Sequence, residues 1–86
     1  MIKGKTPSGF TYEIEKRRLD DMELLELISE ADENPVLMPK VLSRLLGVEQ
    51  KKRLYDFCRE EDGNVPVEKT IGIMEEIFRD APLKKS

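Results

Sequence analysis

Phe10, Tyr12 and Ile14 alternate with Thr11, Glu13 and Glu15, the period-2 pattern of a strand with one buried face. Before them, Thr6-Pro7-Ser8-Gly9 is a turn signal, preceded by Ile2-Lys3-Gly4-Lys5. The pattern predicts a short hairpin over residues 2–15. A lone hairpin is marginal in water, so its apolar face must lie on other elements.

The period then changes. Leu19, Met22, Leu24, Leu25, Leu27, Ile28 and Ala31 recur at helical spacing, predicting an amphipathic helix from Asp20 to Asp32. Asp20 or Asp21 can cap it, and Asn34-Pro35 ends it. A third element runs from Val36 or Pro39 to Leu46, with Val41, Leu42, Leu45 and Leu46 apolar and Gly47 as its terminating glycine. Another helix is expected from Glu49 to Glu61, broken by Asp62-Gly63-Asn64. The last starts near Pro66 and runs to Asp80, with Val67, Ile71, Met74, Ile77 and Phe78 on one face. Pro82 and Lys84-Lys85-Ser86 then read as a flexible tail over 81–86. The expected fold is mostly α, in the α+β class. It is a single domain of 86 residues, with the hairpin followed by a bundle of three or four helices over 20–80.

Composition narrows the chemistry. Hydrophobic and charged residues each make up 38%, and there is neither His nor Trp. Without His the chain lacks the commonest general base near neutral pH and the commonest transition-metal ligand. A single cysteine, Cys58, forms neither an internal disulfide nor a thiolate zinc cluster. With Phe57 beside it and Leu54 one turn away, it reads as a small buried hydrophobe. The five glycines fit no phosphate loop. No cofactor is expected, and no enzymatic activity. No apolar run is long enough to span a bilayer, and no signal-peptide core follows Met1, so a cytoplasmic location is expected.

The net charge of −3 is unevenly spread. Residues 1–18 carry five Lys/Arg against two Glu, whereas residues 19–35 carry seven acids and no base. That acidic segment argues against a broadly basic nucleic-acid binder. Glu23, Glu26 and Glu30 share a helix face, but nothing marks them as buried, so a solvated face is expected.

Two motifs fail on register. From Val41 to Tyr55 the chain has the outline of a DNA-reading helix-turn-helix, with Ser43, Gly47 and Val48 in place. The positions that must pack the second helix on the first fall on Arg53 and Asp56, and the apolar residues come one step later, at Leu54 and Phe57. One step turns a helix by about 100°. A small DNA-binding regulator stays the alternative function. A calcium loop centred on Gly63 would have Cys58 and Lys69 at its ends, where acidic oxygen donors belong.

What remains is apolar excess. The stripes of residues 20–48 are wider than a core of this size readily needs, and they serve either core or a partner groove. Leu24, Leu27, Leu37, Met38, Val41 and Leu45 are the candidate protein-binding residues.

Several runs carry a family likeness. These are Asp20-Asp21-Met22-Glu23-Leu24-Leu25, Asp32-Glu33-Asn34-Pro35, Pro39-Lys40-Val41-Leu42, the stretch from Leu45 to Asp56, and Glu61 to Val67. Over residues 8–80 the chain resembles the tail assembly chaperones of long-tailed phages and prophages of Gram-positive bacteria. The resemblance implies a helical cytoplasmic protein that binds the tape-measure protein and helps recruit tail-tube subunits. Such proteins often have a longer frameshifted form. Self-association into a homo-oligomer is a further expectation, and nucleic acid is not an expected partner.

Overall fold

The computed structural model describes residues 1–81; the expected tail, with Pro82 and Lys84-Lys85-Ser86, lies outside the described residues. Two strands, β1 (Ile2–Lys5) and β2 (Thr11–Ile14), pair antiparallel with Ile2 opposite Ile14 and Gly4 opposite Tyr12. The turn between them closes as its sequence predicts. Gly9 N–H donates to the Thr6 carbonyl at 2.8 Å, and Thr6 Oγ1 accepts from Phe10 N–H at 3.1 Å. Gly9 has φ +99°, a conformation glycine adopts without the Cβ clash. Phe10, Tyr12 and Ile14 are all buried, as the alternation requires.

A one-turn helix not expected from the pattern, α1 (Lys16–Leu19), follows. It is too short to show a period, and only Leu19 is buried. Next come α2 (Met22–Glu33), a 3-10 turn (Pro35–Leu37), α3 (Met38–Leu46), α4 (Val48–Cys58) and α5 (Val67–Asp80). The fold is therefore mostly α with an N-terminal hairpin, as expected.

Boundaries differ where local hydrogen bonding decides them. Helix α2 begins at Met22, because the Asp21 side chain accepts from Glu23 N–H at 3.0 Å and so caps it. Helix α4 stops at Cys58, short of Glu61. Arg59 turns extended, Glu60 N–H donates to the Asn64 carbonyl, and Gly63 N–H donates back to Glu60. Ala81, expected to open the tail, is instead buried, and its N–H donates to the Ile77 carbonyl at 2.8 Å.

Helix α3 is the centre of the molecule. It packs on α1, α2, α4 and β2, and four of its nine residues, Val41, Leu42, Leu45 and Leu46, are buried. Gly47, with φ +84°, lets the chain reverse into α4 after a single residue. Leu54 and Cys58 on α4, and Ile73, Met74 and Ile77 on α5, complete the core with the hairpin's aromatic face. Two side chains of α4 cover the outer edge of β2. Gln50 Oε1 accepts from Glu13 N–H at 3.2 Å, and Arg53 Nη2 donates to the Thr11 carbonyl at 3.3 Å. These bonds satisfy edge groups that would otherwise be open to strand addition.

Candidate protein-binding surface

The core takes three of the six residues expected to meet a partner. Leu24, Val41 and Leu45 are each 0% exposed, so no partner reaches them. They sit where α2 and α3 face each other and the hairpin, and burial there releases more apolar surface from water than any shallow groove would. Leu27, Leu37 and Met38 are half-buried against that core. Met38 lines an apolar cleft, whereas Leu27 lines a different, polar one, so the six do not form one face.

The apolar cleft has a volume of about 530 Å³. The 3-10 turn and α3 contribute Pro35, Val36, Met38, Pro39 and Leu42, and α4 contributes Tyr55. Val65 from the preceding loop and Val67, Thr70 and Ile71 of α5 complete it. None of these side chains is charged. Val36 and Val67 are 80% and 69% exposed, the two most exposed large aliphatics besides Val48 and Met22. The only hydroxyls are those of Tyr55 and Thr70. Thr70 Oγ1 donates to the Pro66 carbonyl at 2.8 Å, and burial pushes the Tyr55 hydroxyl pKa above its ordinary value. No carboxylate, amine, guanidinium or thiol lines this cleft.

Val36, Val65 and Val67 were not among the six candidates, although periodicity put Val67 on the apolar face of the last helix. Each stands beside a proline, Pro35 or Pro66, at the start of a helical segment. At these two positions the first residue after the proline stays exposed, Val36 at 80% and Val67 at 69%. That was the available signal.

The polar cleft has a volume of about 840 Å³ and shares Pro39 with the apolar one. Arg17, Arg18, Lys40, Arg44 and Lys51 line it, with Asp20 and Asp21. Arg44 Nε donates to Asp21 at 2.7 Å, and Arg18 Nη1 donates to the Arg44 carbonyl at 3.0 Å. Lys51 Nζ donates to Ser43 Oγ at 2.9 Å and stands 5.5 Å from the Tyr55 ring centre.

The other motifs resolve structurally. Glu23, Glu26 and Glu30 are exposed, and no group of three potential ligand residues among the described residues is placed to hold a metal. Cys58 is a free thiol at 0% exposure. Around Gly63 the chain forms a simple turn. On α4, Arg53 lies over the Phe10 ring and donates to Thr11, so this cation of the helix-turn-helix outline is turned onto the hairpin. Phe57 is 41% exposed and meets Phe10 edge-on at 5.5 Å between centroids. No helix among the described residues is long and apolar enough to cross a membrane. No protein-family model, curated protein or solved structure was found to match the chain.

Proposed function

We propose that this chain is a non-enzymatic protein-binding module whose apolar cleft takes the apolar face of a partner helix. The observation that carries the reading is Val36 and Val67, left exposed on two different elements that line one uncharged cleft. Exposed aliphatics gathered in a concave site mark an interaction surface, and a helix seats such a groove through residues at i, i+3, i+4 and i+7. The resemblance to phage tail assembly chaperones supplies the partner: the tape-measure protein, bound while the tail assembles in the host cytoplasm. A long helix awaiting assembly has apolar faces that need temporary cover, which is the task this cleft fits.

Co-expression with a phage tape-measure protein tests the reading. A co-eluting complex, weakened by Val36→Asp and Val67→Asp, is expected. Tails that assemble normally without this chain, and no complex on co-expression, would refute it.

A further inference from the structure

The two clefts adjoin at α3 and α4. Pro39 lines both, and Lys51, from the polar cleft, stands over the ring of Tyr55, from the apolar one. A ligand seated along α3 and α4 would therefore meet aliphatic residues at one end and cations at the other. Five cations against two carboxylates line the polar end, and Asp21 is already bound by Arg44. Arg18, Lys40 and Lys51 make no ion pair among the described residues. This local excess belongs to a chain whose net charge is −3, so it is not a consequence of overall composition.

Resting on the docking role of the cleft, we propose that its occupant is an acidic amphipathic helix. Its apolar side chains enter among Val36, Met38, Val67 and Ile71, and its carboxylates meet Arg18, Lys40 and Lys51. Neither edge strand lines the two clefts, so they offer no sheet edge for an extended strand to join. Nucleic acid would match the cations but leave the aliphatic half unfilled. Charge complementarity of this kind sets partner choice and register more than raw affinity.

The test uses the full chain and labelled synthetic helices of about 20 residues, long enough to hold helical structure. One carries a leucine face with glutamates opposite, one the same leucine face with lysines. Fluorescence anisotropy is read at about 0.02 M and about 0.3 M salt, because exposed charge pairs are screened over that range. The glutamate helix is expected to bind about tenfold tighter than the lysine helix at low salt, a preference that shrinks at high salt. Lys40→Glu, at an exposed position without a partner side chain among the described residues, is expected to narrow that preference, and Lys40→Glu with Lys51→Glu to invert it. Thermal melts check that each variant is folded.

If both helices bind equally and Val67→Asp abolishes both, docking stands and the acidic partner is overturned. Where neither helix binds, the docking role falls with it. Competition by a short DNA duplex, or a stable dimer in sedimentation velocity that the glutamate helix fails to displace, overturns the proposal in favour of nucleic acid or a second copy.

Discussion

Arg44 of α3 donates from Nε to the Asp21 carboxylate at 2.7 Å, and Asp21 is also the residue that caps α2. A second nitrogen, Nη2, reaches the other Asp21 oxygen at 3.3 Å and lies 3.5 Å from Glu23. One carboxylate thus starts a helix and fastens it to the central helix beside it. The Arg44 hydrogen bond, more than the backbone bonds at the cap, holds the Asp21 carboxyl below its usual pKa.

The pH consequence follows from that direction. A carboxyl depressed in the folded state stabilises the fold above its unfolded pKa, near 3.9, and loses that contribution as pH falls through the lowered value. Asp21→Asn keeps a good capping side chain but removes the charge. Its melting temperature is expected to depend less on pH between about 4 and about 2 than that of the parent chain. A double-mutant cycle of Asp21→Asn with Arg44→Gln should show favourable coupling that weakens with salt. Additive losses would show that the pair contributes nothing beyond its geometry.

Truncation separates core from cleft. Leu45→Ala and Leu24→Ala empty fully buried sites and should cost about 2–5 kcal/mol each in urea denaturation. Val36→Ala, at 80% exposure, should change stability by no more than about 0.5 kcal/mol. A comparable loss at Val36 would mean that the valine serves the fold.

Two glycines are predicted to respond with opposite signs. A Cβ on Gly4 would run into the Tyr12 ring across the strand pair, and Tyr12, 2% exposed, cannot swing aside freely. Gly4→Ala should destabilise by about 1–3 kcal/mol, the usual cost of overpacking. Gly72 lies inside α5 with nothing within 4 Å of a Cβ. Gly72→Ala should stabilise by about 0.5–1 kcal/mol through helix propensity. Thermal denaturation of both variants reads the two signs directly.

Cys58, fully buried, should react with a thiol reagent only as fast as the chain opens. Cys58→Ser buries a hydroxyl at that site and should cost about 1–3 kcal/mol. Rapid labelling under native conditions would place the thiol at the surface instead.

The hairpin was legible because Thr6-Pro7-Ser8-Gly9 and the Phe10-Tyr12-Ile14 alternation are local signals, and both the turn and the burial follow them. The long helices were legible for the same reason, with ends misjudged at α4, where Glu60 and Asn64 bond across the next turn. Helix α1 was not legible, since four residues carry no period.

The sequence by itself determined the hairpin, the four longer helices and the absence of histidine from any chemistry this chain performs. Periodicity marks which residues are apolar on a helix face, but not which neighbour that face will meet. Only the tertiary structure decided that Leu24, Val41 and Leu45 turn inward while Val36 and Val67 stay exposed. The physical reason is competition for one interior. Helix α3 packs on α1, α2, α4, β2 and the 3-10 turn, so its stripe is consumed by them. Val36 and Val67, each following a proline, lie at helix starts outside that interior and line the cleft.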